Sequence, residues 1–230
     1  MIHDPQVPIV TIDGPSGSGK GTVSRQIASR LGWHLLDSGA LYRLVALAGA
    51  RAGLNREDVA GYQKIAQGMD VQFGSDPAGA ERVTIGGEDV TAAIRDEPIS
   101  QGASRVAAWP QVRAALMGRQ HQFVQPPGLV ADGRDMGTVV FRGARLKVYL
   151  TATAEERARR RYNQLKDKGS TASLAALSRE IAERDLRDST RSVAPLAPAA
   201  DAVIIDSTGM DIPAVVEQVM DLGRSRGLWP

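Results

Sequence analysis

The strongest constraint on the fold is a glycine-rich segment near the N-terminus, between a short apolar run and a helical pattern. It contains a Gly, four residues and then Gly-Lys, which is the spacing of a phosphate-binding loop. The apolar run at 9–12 predicts a buried strand, and apolar residues at 23, 27, 28 and 31 predict a helix. Glycines let the backbone turn so that its N–H groups converge on phosphate oxygens at the positive end of that helix.

The alternative is a glycine-rich turn before an ordinary helix, and the agreement of pattern and context argues against it. The predicted loop and its first helical residues are Gly14, Pro15, Ser16, Gly17, Ser18, Gly19, Lys20, Gly21 and Thr22. One residue departs from the more common pattern, in which Ser or Thr follows the lysine and directs its hydroxyl at Mg²⁺. Here Gly21 follows, and the hydroxyl comes at Thr22. The ending Gly-Lys-Gly-Thr resembles nucleoside-monophosphate kinases more than GTPases or motor ATPases, which favours phosphoryl transfer between two small nucleotides.

Beyond the loop, apolar strands and helical patterns alternate along most of the chain. Buried strands are predicted at 33–36, 128–131, 146–150 and 202–205, in addition to 9–12. Five such strands predict an α/β fold with a five-stranded parallel sheet covered by helices on both faces. The region 55–94 differs, because alternating residues and a Gly-Gly pair at 86–87 predict a small antiparallel insert with a two-residue hairpin turn.

Composition limits the class of protein. With 230 residues, 43% of them hydrophobic, the chain can bury a substantial core as one large domain or two small ones. It has no cysteine, which excludes disulfides and thiolate metal sites, and shows neither an apolar run of membrane-spanning length nor a signal-peptide pattern. A net charge of only +2 gives little support to nucleic-acid binding.

Three further polar clusters stand at positions where ligands bind. Two come directly after predicted strands, at 37–43 and 132–138, which is where open α/β sheets bind their ligands. In the third, at 184–191, Arg184, Asp188 and Arg191 share one face of a predicted helix. Taken alone, the second cluster is also compatible with a solvated turn, and the third with a surface ion-pair ladder. Their presence beside a phosphate-binding loop favours a polar ligand.

Five segments together resemble the bacterial cytidylate kinase family, namely GPSGSGKGT, LLDSGALYR, IRDEPISQGASRVAAWPQVR, ADGRDMGTVVF and ERDLRDSTRSVAPL. The resemblance covers nearly the whole chain and implies a single kinase unit at 1–230. Its P-loop kinase core would comprise 1–37, 114–153 and 192–230. The nucleoside-monophosphate-binding region would be 38–113 and would carry the antiparallel insert at 55–94. A helical lid would lie at 154–168, and an acceptor-binding helix at 172–191.

The resemblance implies an acceptor, CMP or dCMP, and a set of residues that would bind it. The members are Ser38, Tyr42, Arg43, Ser104, Arg113, Arg134, Asp135, Arg184, Asp188 and Arg191. Ser104, Arg113 and Asp135 would face the cytosine, whose N4 amino group suits a carboxylate and whose N3 and O2 acceptors suit an arginine. Arg184 and Asp188 would hold the sugar hydroxyls, and the other members would surround the monophosphate.

The resemblance also implies a donor site for ATP, in which Lys20 and the loop amides hold the β- and γ-phosphates. The lid would add positive charge from Arg157, Arg159, Arg160 and Arg161. The implied catalytic residues are Lys20, Arg134, Arg157, Arg161 and Arg191. Mg²⁺ is expected to bridge the ATP phosphates while keeping several waters, with Thr22 and Asp132 as candidates for contact with it or with those waters.

The predicted reaction is ATP- and Mg²⁺-dependent transfer of the γ-phosphoryl group to CMP or dCMP, giving ADP and CDP or dCDP. The acceptor oxygen is already anionic, so the protein's work is alignment and charge neutralisation rather than proton abstraction. One alternative is another small-molecule P-loop kinase, acting on UMP or on a non-nucleotide acceptor. The other is a non-catalytic nucleotide switch or a nucleic-acid binder. We expect a cytoplasmic monomer that binds neither nucleic acid nor a membrane.

Overall fold

A computed structural model describes residues 6–75, 81–167 and 173–230. By internal contacts the chain divides into two compact units. The first unit contains Met1–Asp37 and Gln120–Pro230, and the second contains Ser38–Arg119. The predicted nucleoside-monophosphate-binding region, 38–113, lies wholly within the second unit. Helices and strands are numbered below in the order in which they occur along the chain.

The first unit is built on a five-stranded parallel sheet. Its strands are β1 (Ile9–Asp13), β2 (His34–Asp37), β6 (Leu129–Gly133), β7 (Leu146–Thr151) and β8 (Val203–Asp206). Their order across the sheet is β2-β6-β1-β7-β8, and every neighbouring pair is parallel. The strand before the predicted loop, β1, is therefore central, and all five of its residues are buried. This confirms the predicted α/β fold with five parallel strands.

The helices of the first unit are α1 (Lys20–Leu31), α6 (Ala154–Asp167), α7 (Leu174–Thr190) and α8 (Ile212–Ser225). Apolar side chains of α1 and α8 pack on the sheet, where Val23, Ile27 and Val216 are fully buried. Two helix termini have residues of the types that suit these positions. Gly32 ends α1 in a left-handed conformation, and Asp211 caps α8 by accepting a bond from the Ala214 N–H at 2.8 Å. The stretch predicted as the lid, 154–168, contains α6, and the stretch predicted as the acceptor-binding helix, 172–191, contains α7 but extends beyond it at Ser173 and Arg191. Residues 168 and 172 lie outside the described residues.

The second unit combines helices with a small antiparallel sheet. Its helices are α2 (Ser38–Arg51), α3 (Val59–Gly68), α4 (Glu97–Val106) and all but the last two residues of α5 (Pro110–His121), and α2 packs on both α3 and α4. The strands β3 (Val71–Ser75), β4 (Glu81–Ile85) and β5 (Glu88–Asp89) form the predicted insert. Gly86 and Gly87 both have positive φ, 55° and 84°, as the predicted two-residue hairpin turn requires. The sequence did not predict α3, which lies inside the region assigned to the insert.

Strand register brings three carboxylates to one edge of the parallel sheet. Asp37 ends β2 and stands beside Asp132 of β6, while Asp132 stands beside Ile12 of β1. Asp13, the last residue of β1, follows directly and is opposite Gly133. Because the strands are parallel, the segments that follow them all leave from this edge, which is where open α/β sheets bind ligands. None of the helices in the described residues is long and apolar enough to cross a membrane.

Candidate active site

The glycine-rich loop leaves β1 in a conformation that only glycine supports at its first residue. Gly14 has a φ of 155°, and a Cβ there would lie 2.0 Å from the carbonyl oxygen of Leu150. Gly19, with a φ of 92°, is the N-cap residue of α1, and as a glycine it has no side chain with which to cap the helix. The first N–H groups of α1 are thus left without a side-chain cap at the end of the loop, the arrangement with which such loops bind phosphate.

Lys20 folds back over the loop and is surrounded by charge. Its ammonium donates to the carbonyl oxygen of Pro15 at 3.1 Å. Burial and, after it, the nearby Arg134 guanidinium lower the pKa of Lys20 to about 7, against the opposing influence of Asp132 and Asp37. An anionic phosphate at this position would favour the charged form. The side chain is therefore suited to respond to the arrival of a phosphate group.

Asp132 occupies the place that a side chain at position 21 would need. A Cβ on Gly21 would lie 3.1 Å from Asp132 Oδ2, and the Asp132 residue is buried. Thr22, by contrast, is exposed. Of the two predicted contacts for Mg²⁺, Asp132 is therefore buried, with its carboxylate next to the first turn of α1, and Thr22 is not. Among the described residues, no group of three or more His, Cys, Asp or Glu side chains is arranged to hold a metal ion.

The loop after β6 and the end of α7 form a buried network of opposite charges. Arg134 Nε donates to Asp188 Oδ2 at 2.9 Å, and Arg191 Nη2 lies 3.9 Å from Asp135 Oδ1. Burial alone would raise the pKa of Asp188, but Arg134, Arg184 and Arg191 together hold it below its ordinary value. The structure thus brings together the predicted acceptor residues of the first unit, from two segments more than 40 residues apart.

Arg157 of α6 is buried against the glycine-rich loop. Its Nη1 donates to the carbonyl oxygen of Ser16 at 3.1 Å, and its Nε donates to that of Ala152 at 3.0 Å. Its Nη2 also forms an ion pair with Asp185 of α7 at 2.6 Å. One guanidinium therefore connects the loop, the end of β7 and the helix that carries the acceptor residues.

Arg160, one turn further along α6, makes the second set of contacts with the loop. Its Nη1 donates to the carbonyl oxygen of Ser18 at 3.1 Å, and its Nη2 donates to that of Ser207, after β8, at 2.6 Å. Arg159 is exposed and pairs with Glu156 at 2.6 Å, and Arg161 is half-buried. Arg157 and Arg160 are spaced i, i+3 on one helix face. The sequence placed all four arginines in the lid but did not single out Arg160.

In the second unit, the predicted acceptor residues lie on α2, α4 and α5. Tyr42 of α2 and Arg113 of α5 are both buried, and the guanidinium carbon lies 5.9 Å from the centre of the tyrosine ring. Arg113 Nη1 also donates to the carbonyl oxygen of Ala107 at 3.3 Å. Ser38 and Ser104 are buried, and Arg43 is half-buried. Their roles in binding an acceptor stay predictions.

Sequence reasoning also missed Asp13, a buried charged residue of the first unit. Its carboxylate accepts bonds from the N–H groups of Met136 and Gly137, each at 2.8 Å. Burial, opposed by the two backbone bonds and by Lys20 and aided by the Asp135 carboxylate, raises the pKa of Asp13 to about 6. The available signal was an acid at the end of a buried strand, next to the first loop glycine.

Known proteins that are similar to this chain share one name. The family model described as Cytidylate kinase matches residues 10–225. A protein from Marinomonas sp. (strain MWYL1), named cytidylate kinase, is 53% identical over 97% of this chain and 98% of its own length. Proteins of the same name from Azotobacter vinelandii (strain DJ) and Pseudomonas aeruginosa (strain LESB58) are 56% and 57% identical. The alignment with the Azotobacter protein covers 96% of this chain and 96% of that protein. The alignment with the Pseudomonas protein covers 93% of this chain and 94% of that protein.

Proposed function

The chain belongs to the cytidylate kinase family, and on that premise we propose that it transfers the γ-phosphoryl group of ATP to CMP or dCMP, giving ADP and CDP or dCDP. The observation that carries the proposal is that the donor loop and the loop after β6 lie together at one edge of the sheet. Asp13, which directly precedes Gly14 of the donor loop, accepts from the N–H groups of Met136 and Gly137 at 2.8 Å each, and Arg134 and Asp135 of the predicted acceptor set come immediately before those residues. Donor and acceptor groups placed side by side in this way can act on one transferring phosphoryl group.

The donor end would use the loop amides and Lys20. These groups would hold the β- and γ-phosphates of ATP, and phosphate oxygens would return Lys20 to its charged form. Arg157 and Arg161 are proposed as catalytic residues of the lid. Arg157 is already fixed against the loop by its bond to Ser16, which suits a group that must stand ready for charge that develops during transfer.

At the acceptor end, Arg134 and Arg191 would bind the monophosphate. Both guanidiniums have carboxylates as partners without a ligand, and a phosphate would compete with those carboxylates for them. Arg184 and Asp188 would hold the sugar, and Asp135 would accept from the N4 amino group of cytosine. For the second unit, the proposed acceptor residues remain Ser38, Tyr42, Arg43, Ser104 and Arg113.

The reaction needs no general base. An anionic oxygen of the acceptor phosphate forms a bond to the γ-phosphorus as the bond to the β–γ bridging oxygen breaks, and that oxygen leaves with ADP. The protein therefore contributes alignment and positive charge, from Lys20, Arg134 and Arg191. Mg²⁺, when bound, would neutralise the ATP phosphates. Asp132 would receive its waters, and the burial of its carboxylate beside Gly21 of α1 supports this assignment.

The direct test measures ADP formation with ATP, Mg²⁺ and each nucleoside monophosphate in turn. CMP and dCMP should be good acceptors, UMP much poorer and AMP close to inert. Lys20→Ala should keep the fold and lose several orders of magnitude in turnover. If that variant kept more than about a tenth of the wild-type rate, the loop would not be the donor site. Equal turnover of CMP and UMP, or of a non-nucleotide acceptor, would replace this proposal with the broader one of a small-molecule kinase.

The base preference has its own test in Asp135→Ala. Loss of the carboxylate should raise KM for CMP more than KM for ATP. It should also narrow the ratio of kcat/KM for CMP over UMP, which a well-matched polar site can bring to about 10⁴ or more. An unchanged ratio would mean that Asp135 serves the loop or the fold, and that the base is recognised elsewhere.

A further inference from the structure

The carboxylate of Asp13 lies where two functional segments of the first unit begin. Asp13 ends β1 and is bonded directly to Gly14, the first residue of the phosphate-binding loop. The residue is only 4% exposed. Its Oδ1 accepts from the N–H of Met136 and its Oδ2 from the N–H of Gly137, each at 2.8 Å. One side chain at the base of the donor loop therefore holds the backbone of the loop after β6.

The two N–H groups need an outside partner because they begin the π-helical turn Met136–Val140. Inside that turn, the N–H of Val140 bonds to the carbonyl oxygen of Asp135 at 3.2 Å, so the internal bonds start beyond the first residues. The residue at the usual capping position is Asp135, whose side chain makes no cap bond. Because Asp13 caps the turn from another strand, the carboxylate of Asp135 is not used as the cap.

The turn has little room to shift, because it lies directly on the sheet. A Cβ on Gly137 would lie 2.9 Å from Thr11 Oγ1 of β1 and 3.2 Å from Lys147 Cδ of β7. Contact with the sheet and the two bonds to Asp13 together fix the backbone at 136–137. The residues immediately before it are Arg134 and Asp135.

Of the two side chains of this size, Asp and Asn, only the carboxylate of Asp can accept bonds from both N–H groups. Asn would offer one oxygen acceptor, and its NH₂ group would face the second N–H. The carboxylate is retained although it is buried close to the like charge of Asp135, and both conditions disfavour ionisation. A charge held at such a cost points to a role beyond stability.

We propose that Asp13 is a positioning residue for the acceptor side of the reaction. By capping the turn at Met136–Val140, it directs Arg134 toward Asp188 and leaves Asp135 beside Arg191. The assignment rests on the proposed function, since Arg134 and Asp135 are acceptor residues only if the chain phosphorylates CMP. Loss of Asp13 should therefore disturb acceptor binding and transfer, and should affect ATP binding little.

The kinetic test compares Asp13→Asn with Asp211→Asn. Asp211 also caps a helix, but it accepts a single bond, from the Ala214 N–H, which Asn can accept equally well. Asp13→Asn should raise KM for CMP about tenfold or more and lower kcat, with KM for ATP changed by no more than about twofold, since small misplacements are costly in transfer reactions. Asp211→Asn should behave as wild type. KM values for ATP and CMP that rise together, or parameters that do not change, would overturn the proposal.

Amide hydrogen exchange of the substrate-free protein gives a readout that does not depend on the reaction. In Asp13→Asn, the segment 134–140 should exchange faster, and the segment 14–22 should exchange as in wild type. If the wild type phosphorylates no CMP, the proposed function fails, and this exchange pattern would still support Asp13 as the residue that positions the turn. Unchanged exchange at 134–140 would overturn it, as would failure of Asp13→Asn to fold, because the carboxylate would then be needed for the whole fold rather than for the position of this turn.

Discussion

The buried charge of Asp13 should make the stability of the first unit depend on pH in a direction opposite to that of most carboxylates. Its pKa rises from an ordinary 3.8 to about 6, so the folded protein binds this proton more tightly than the unfolded chain does. Between these two values the folded state carries more protons, and the free energy of unfolding therefore falls as pH rises. Across the whole range the change is about 3 kcal/mol, of which roughly 2 kcal/mol lies between pH 4.5 and pH 7.5.

Asp13→Asn isolates this contribution, because Asn cannot titrate. Wild type and variant would be unfolded in urea at a series of pH values from 4.5 to 7.5, with the buried Trp229 and the adjacent Trp33 as fluorescent reporters within the same unit. The wild type should lose stability relative to the variant as pH rises. The lost N–H acceptor in Asn shifts the difference by a constant amount and leaves its slope intact. Parallel curves, or a slope of opposite sign, would refute the claim that Asp13 is charged and unfavourably buried.

Three further predictions test the donor side. The pKa of Lys20 is lowered to about 7 and a bound phosphate would favour its charged form, so the protein should take up most of a proton when it binds ATP at pH 8. Calorimetry in two buffers of different ionisation enthalpy measures this proton uptake, and equal uptake by Lys20→Ala would contradict the prediction. Gly21→Ser should cut turnover about tenfold or more, because the new Cβ would lie 3.1 Å from Asp132 Oδ2 and would push that carboxylate away. The control Gly118→Ser should have a turnover near that of the wild type, because a Cβ there would meet no atom within 4 Å. Arg160→Met should raise KM for ATP but not for CMP, because it frees the Ser18 carbonyl; an equally large effect of Arg159→Met, an exposed position, would show that charge alone matters.

Much of the first unit's site could be predicted because sheet geometry places the ends of parallel strands side by side. Strand ends were readable from apolar runs, and the polar residues after them, Asp132 and Arg134 among them, then fall at one edge of the sheet. The pairing of Arg134 with Asp188 agrees with the rule that a charged side chain in a buried site pairs with a side chain of opposite charge. The helix α3 was missed because its short amphipathic pattern lies next to the alternating pattern of the strands that follow.

Asp13 and Arg160 were missed for a different reason, which lies in the nature of their partners. Asp13 binds the N–H of Met136, 123 residues away, and Arg160 binds the carbonyl oxygen of Ser18, 142 residues away. Every residue but proline has a backbone N–H, and every residue has a carbonyl oxygen, so no residue type marks these partners in the sequence. When one side chain binds another, both residue types can be recognised in the sequence. When a side chain binds backbone, only its own residue type can be recognised. Residues that fix the shape of a loop from a distance therefore emerge only when the fold brings that backbone to them, as it does for both loops of this site.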